Sequence, residues 1–301
     1  KLCARLLQDE WLALCALGSG HPLLALLHRS LDQLAEGRPW AGGFAPFLQA
    51  LGPFPGSSVI VLDAVIDALR PHACLEGLAQ QREPLTRSRG QWVSFAYAAS
   101  WLLQADAGSV LPGWVRRQHP TVPSMLAALR EQPCARPDCT WCQGEHNPEA
   151  LLTRFFGEEF HSFRAEPPDT RTGGSLQRAI TVAGLGGRSI YAMLPTGGGK
   201  SICFQLPALA RHQRLGLLTV VISPLQSLMK DQVDGVKRAT NTPHAAALHG
   251  MVTAPERSRV LQEVADGTCG LLYVSPEQLR NRSVRNAIKQ RQIGAWVFDE
   301  A

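Results

Sequence analysis

Residues 195–201 read Pro195-Thr196-Gly197-Gly198-Gly199-Lys200-Ser201 and open a helical pattern directly after a short apolar run. Glycines let backbone N–H groups of Thr196, Gly197, Gly198 and Gly199 curl around phosphate oxygens, where side chains would block approach. The helix that follows directs its positive N-terminal end at the same anion. Lys200 is spaced to reach the β- and γ-phosphates of a nucleotide, and the Ser201 hydroxyl to ligate Mg²⁺. The strict pattern G-x-x-x-x-G-K-[ST] fails at its first position, which is Leu194. A purely structural glycine turn does not account for Lys-Ser at a helix start.

A second chemical element lies at the end of the chain. Gly294 to Phe298 is an apolar run that ends in Asp299-Glu300-Ala301. Adjacent carboxylates at a strand end can divide labour, Asp299 holding Mg²⁺ and Glu300 positioning or deprotonating the attacking water. Alone, such a pair reads as a solvated turn; combined with a phosphate loop upstream, it reads as a catalytic site.

Two further runs share one design, an apolar strand, then Ser-Pro, then a helix. The first is Val220 to Val233, with Ser223-Pro224, Ser227 and Lys230; the second is Tyr273 to Leu279, with Ser275-Pro276. A strand-end serine and the unsatisfied N–H groups of a helix start suit phosphodiester contacts that carry no base readout. Ordinary capping is the other reading of each. Arg280, Arg282, Arg285, Lys289 and Arg291 form a basic run without an acid, which reads equally as a solvated face or a phosphate track.

Cys134, Cys139, Cys142 and His146 place four soft ligands within a short Pro/Gly-rich segment. Their spacing is compatible with a tetrahedral Zn²⁺ site and equally with thiols in a loop. The chain holds eight cysteines. Without a secretory signal they read as reduced cytosolic thiols rather than a disulfide framework, and the chain as cytoplasmic.

The elements that must position these groups follow from periodicity. From Ser175 onward, β-prone runs (189–193, 217–222, 244–248, 270–274 and 294–298) alternate with helical ones (176–185, 200–213, 226–238, 255–266 and 277–291). Such alternation predicts a mostly parallel sheet covered on both faces, with ligands at the carboxyl ends of its strands. Residues 1–132 instead show helical spacing, in 2–16, 23–34, 59–69, 92–103 and 122–129, and carry no recognisable chemistry. Trp40, Trp92, Trp101 and Trp114 there read as core packing rather than base-stacking groups. Residues 133–154 read as a Cys/Pro-rich linker or small zinc module, and 155–301 as an α/β lobe.

Charge divides along the same line. Residues 1–150 carry 12 Lys/Arg and 13 Asp/Glu, and residues 151–301 carry 18 and 12. The basic excess of the second half suits a polyanionic partner. With 45% hydrophobic and 18% charged residues, the composition is that of a folded chain. No apolar run approaches the roughly 20 residues of a membrane span. The chain opens at Lys1 inside a helical pattern and stops just after two acids, so both ends read as cuts in a longer protein.

The set Leu194–Ser201, Val220–Val233, Leu271–Leu279 and Val297–Ala301 resembles motifs I, Ia, Ib and II (the DEAH box) of superfamily 2 helicases, and within them the RecQ family. RecQ members also lack the first glycine of the phosphate loop. Gln177 stands at the separation from Lys200 that this family shows for the glutamine reading the adenine edge; Phe163-Arg164 resembles the Phe-Arg of the same motif, here separated by an insertion. The resemblance covers roughly residues 155–301. It implies a RecA-like P-loop lobe preceded by a mainly α-helical region, ATP and Mg²⁺ as cofactors, and DNA with a single-stranded portion as partner. It implies an ATP-dependent 3′-to-5′ DNA helicase, lacking here the second lobe and therefore inactive as a fragment. Two alternatives stand beside it: a translocase that does not separate strands, and a DNA- or partner-binding protein with a silent motor.

Overall fold

The computed structural model describes residues 66–67, 69–87, 89–104, 110–111, 113–195, 197–240 and 244–300. Residue contacts divide the chain into two compact units, and the division falls near residue 141, inside helix Thr140–Glu145. The helical runs expected at 2–16 and 23–34, and Trp40, lie outside the described residues.

The first unit is helical where described. Helices Leu75–Arg87, Arg89–Gln104, Gly113–Gln118 and Thr121–Arg130 follow one another. Thr121–Arg130 buries Val122, Met125, Leu126 and Leu129, a spacing of three and four that brings one face to its neighbours. Gly77 lets the backbones of two helices approach, since a Cβ there would lie 2.6 Å from the Ala128 carbonyl oxygen. Trp101 and Trp141 both lie under the Arg130 guanidinium, 5.5 and 4.6 Å from their ring centroids, and Arg130 Nε donates to the His72 carbonyl at 2.8 Å. Trp101 therefore packs against a cation.

The second unit is an α/β layer structure. Four strands, β1 (Leu218–Ile222), β2 (Ala245–Leu248), β3 (Leu271–Val274) and β4 (Ile293–Phe298), pair in the order β2-β3-β1-β4, all parallel. Each connection between successive strands carries a helix, as parallel pairing demands. One face of the sheet buries Val221, Ala245, Leu271 and Tyr273 against Leu206, Leu209, Met229 and Val233. The other buries Val220, Ala246, Leu272 and Val274 against Val260, Val264, Val284 and Ile288. Burial on both faces is why these strands are continuously apolar rather than alternating.

The structure departs from the sequence expectation over residues 189–193, 277–291 and 133–154. Residues 189–193 belong to no strand, and Tyr191 and Met193 are strongly exposed. A strand exists only through a neighbour's N–H and C=O groups, and among the described residues this run pairs with none. The single helix expected over 277–291 is a 3₁₀ turn, Pro276–Arg280, and a helix, Arg282–Lys289, broken at Asn281, whose side chain caps the second. The supposed linker contains two helices, Thr140–Glu145 and Pro148–Phe156. Pro148 starts a helix rather than breaking one: it stands where its missing N–H is not needed, and Asn147 caps the N–H groups of Glu149 and Ala150. Leu151, Leu152 and Phe156 then enter the core of the α/β unit.

Among the described residues, no helix is long and apolar enough to cross a membrane.

Arg291 is not part of a basic surface. It is buried, and its guanidinium donates to the carbonyls of Val264 (2.7 Å), Cys269 (2.9 Å) and Gly216 (2.9 Å). It thereby ties the start of β1 to the loop before β3. Replacing it with Met should leave those carbonyls without their cationic donor and cost about 3 kcal/mol of unfolding free energy, measured by urea denaturation of the chain.

Candidate functional site

A parallel sheet sends every strand's carboxyl end to one edge. Here Ser223 follows β1, Ser275 follows β3 and Asp299 follows β4, each still held by the ladder. The Ser223 N–H donates to Val274 O (3.2 Å), the Ser275 N–H to Leu248 O (3.0 Å), and the Asp299 N–H to Ile222 O (2.9 Å).

The glycine loop reaches this edge through backbone conformations that only glycine adopts freely. Gly197 and Gly199 have φ of 77° and 73°. Gly199 is the N-cap of helix Lys200–Leu215, so the left-handed residue sits where the chain turns into the helix. A Cβ on Gly199 would stand 2.1 Å from Gln177 Nε2, and one on Gly198 2.9 Å from Pro195 O. Thr196 lies outside the described residues.

Gln177 grips this loop. It is the second residue of helix Leu176–Leu185, capped by Ser175, and it is 2% exposed. Its Nε2 donates to Gly199 O at 3.0 Å, and its Oε1 accepts the Arg164 N–H at 2.9 Å. The Arg164 guanidinium donates to Gly197 O. Two side chains from one upstream segment thus hold two carbonyls of the glycine loop. The intervening Pro/Gly-rich insertion does not separate them, because Ser175 Oγ donates to Arg164 O and closes it off.

Lys200 begins the helix with its ammonium 3.9 Å from Glu300 Oε1, both side chains about half exposed. Glu300 takes a left-handed backbone, φ 58°, which turns the chain directly after β4. Partial burial, with the Glu300 charge beside it, pushes the Asp299 carboxyl above the usual range; Lys200 opposes that shift. Ser201 follows Lys200, half buried, in the first turn. Lys200, Asp299 and Glu300 therefore meet at one end of the sheet.

The serines expected to meet phosphodiesters need a correction. Ser223 and Ser275 are each 1% exposed, and the Ser275 hydroxyl is spent on Glu277 at 2.5 Å. Neither hydroxyl reaches solvent; each marks a strand end that the ladder still covers. The groups left exposed are Pro224, Ser227, Lys230 and Pro276. Arg280, Arg282, Arg285 and Lys289 are also exposed.

The cysteine segment needs another. Cys134, Cys139 and Cys142 do converge, but the fourth group is Cys74 and not His146. The His146 ring turns away to Arg214, whose Nη1 lies 2.9 Å from Nδ1. Cys74, in the turn before helix Leu75–Arg87 and far upstream of Cys134, carries no local spacing signal.

Residues 175–301 match the family model described as DEAD/DEAH box helicase. The ATP-dependent DNA helicase RecQ of Synechocystis sp. is 48% identical over 119 residues, 39% of this chain and 24% of that protein. The segment is RecQ-like. A RecQ of Pasteurella multocida is 39% identical over 125 residues, 42% of this chain and 19% of that protein. The ATP-dependent DNA helicase Q4 of Mus musculus is 47% identical over 95 residues, 32% of this chain and 8% of that protein. The chain spans about a quarter of the first relative's length and less of the others'. All four motifs singled out in the sequence fall inside the RecQ-like segment; the cysteine cluster and the helical unit lie before it.

Lys200 is the cation that offsets burial and repulsion at Asp299. Its removal should raise the Asp299 pKa further, because a carboxylate loses a favourable charge. Carbon-13 NMR titration of Lys200→Met against the unaltered chain reads this directly, with Asp299→Asn for assignment. An unchanged or lowered Asp299 pKa would show that the two groups are not neighbours.

Proposed function

We propose that the protein carrying this chain is an ATP-dependent DNA helicase of RecQ type, with residues 175–301 serving as most of its first motor lobe. The supporting observation is the meeting of Lys200 with Asp299 and Glu300 at the carboxyl edge of a parallel sheet, beside a glycine loop at a helix N-terminus. That arrangement suits phosphate binding and water activation and no simpler purpose.

In this reading the loop N–H groups and Lys200 hold the nucleotide phosphates, and the Ser201 hydroxyl and Asp299 hold Mg²⁺. The cation would neutralise developing phosphate charge when bound. Lys200 exchanges Glu300 for a phosphate at small cost, since a half-exposed pair contributes only about 0–1 kcal/mol. Glu300 is then free to orient the attacking water. Were Asp299 to hold Mg²⁺ it would do so ionised, so its raised pKa would couple that binding to proton release as pH falls toward the pKa.

After its two backbone bonds Gln177 keeps one N–H and one lone pair, the pair an adenine edge requires. Because it is buried, adenine recognition requires the loop to uncover it. We assign phosphodiester contacts to Ser227 and Lys230, beside the exposed Pro224 and Pro276, with Ser223 and Ser275 shaping the strand ends behind them. The partner is DNA with a single-stranded portion, tracked by backbone charge rather than base identity. Lys200, Asp299 and Glu300, all present, disfavour a silent motor.

In the full-length protein, Lys200→Ala should lower DNA-stimulated ATP turnover by at least about 100-fold, the scale of losing one aligned cation from a phosphoryl-transfer site. Near-normal turnover in a steady-state phosphate-release assay would remove Lys200 from the site. A strand-separation assay on tailed duplex then distinguishes helicase from translocase. Gln177→Ala should weaken ATP more than GTP or UTP in competition binding; equal losses would leave Gln177 as a clamp on the loop alone.

A further inference from the structure

Among the described residues, four cysteines lie before the RecQ-like segment. Cys74 precedes helix Leu75–Arg87, Cys134 lies in the turn after helix Thr121–Arg130, and Cys139 and Cys142 flank the start of helix Thr140–Glu145. Their sulfurs all lie within 4.8 Å of one another. Cys74, Cys139 and Cys142 are buried and Cys134 is half-buried. Cys142 follows Cys139 by three positions in one continuous turn, so the chain itself keeps it beside its neighbour.

Backbone bonds fix Cys74 and Cys139. The Cys74 N–H donates to Leu129 O at 2.7 Å, which pins its turn to the end of helix Thr121–Arg130. The Cys139 N–H donates to Arg136 O at 3.3 Å, closing a tight turn. The Leu75 N–H points at Cys139 Sγ, 3.4 Å away. A backbone N–H directed at sulfur is the kind of outer-layer contact that metal-bound ligands receive. The intervening Ala135, Arg136, Pro137 and Asp138 are exposed, so this turn has no apolar core to hold it.

We propose that Cys74, Cys134, Cys139 and Cys142 bind one structural Zn²⁺ as four thiolates. A tetrahedral ion with Zn–S of about 2.3 Å places its ligand sulfurs about 3.8 Å apart, within the spacing found for every pair. A multi-iron cluster holds its cysteines farther apart than this, outside the inorganic core. A disulfide needs sulfurs about 2.05 Å apart in pairs and no fourfold convergence. With no position left for water, such a site does not perform catalysis. It stitches the turn at Cys74 to the Pro-rich turn at Cys134–Cys142, a join of residues distant in sequence. Each thiol binds as thiolate, so folding around zinc releases protons.

The test uses the chain as it stands, purified without a polyhistidine tag and dialysed against a weak chelator. Elemental analysis should find one zinc per chain, retained in His146→Ala and in Cys203→Ser. It should be lost in Cys74→Ser and Cys139→Ser. Should the cysteine variants fail to fold, zinc-edge X-ray absorption of the unaltered chain decides: four sulfurs at about 2.3 Å and no nitrogen. Absence of stoichiometric zinc, iron in its place, a disulfide among these cysteines by mass spectrometry, or a nitrogen in the first shell would each overturn the proposal.

Discussion

Parallel pairing is the constraint on which the α/β unit depends. It forces each strand to return to the same edge through a helix, so three independent sequence segments deliver their last residues side by side. Lys200 reaches that edge from the helix that precedes β1, and Asp299 and Glu300 from the end of β4, almost a hundred positions later. The sheet alone shortens that distance to an ion-pair contact of 3.9 Å. Register enforces it: Val221 lies beside both Tyr273 and Val297, so one residue of slip would turn β4's carboxylates away from the loop.

Much of this was legible because the signals were local. Three glycines followed by Lys-Ser state a turn into a helix, and the positive φ of Gly197 and Gly199 is what such a turn needs. Helix Leu176–Leu185 and four of five expected strands appear close to where periodicity put them. Residues 189–193 failed because strand character is a property of a pair and not of a run. The Cys/Pro-rich segment hid a helix start at Pro148 because a proline breaks a helix in its middle but suits its first turn, and only the Asn147 cap distinguishes the two. Cys74 was invisible because ligand sets assemble in space, and no spacing rule links it to Cys134.

Counting charge overstated what the surface offers. Of the basic residues that gave the second half its excess, Arg211, Arg214 and Arg291 are buried. Arg291 holds three carbonyls, Arg214 holds Glu145 O and His146, and Arg211 holds Gly184 O and Gly294 O. Guanidinium groups suit such internal ties because they present several fixed donors and carbonyls accept without needing an opposite charge. The basic groups available at the surface are therefore fewer, and Lys230, Arg280, Arg282, Arg285 and Lys289 are among them.

The glycine loop is gripped by its carbonyls. Gln177 and Arg164 occupy carbonyls of Gly199 and Gly197, whereas in the proposed reading a phosphate would take N–H groups at the loop and helix start. Each peptide plane carries its N–H and C=O in opposed directions: the Gly199 carbonyl held by Gln177 sets the Lys200 N–H the other way, whereas the Gly198 N–H, opposite the Gly197 carbonyl, donates to Pro195 O at 2.9 Å. The left-handed turn at Gly199 is what makes the two demands compatible. It sets the carbonyl against Gln177 while the helix that begins at Lys200 still points its positive end outward. A side chain at that position would meet Gln177 at 2.1 Å and force a choice between the clamp and the helix start.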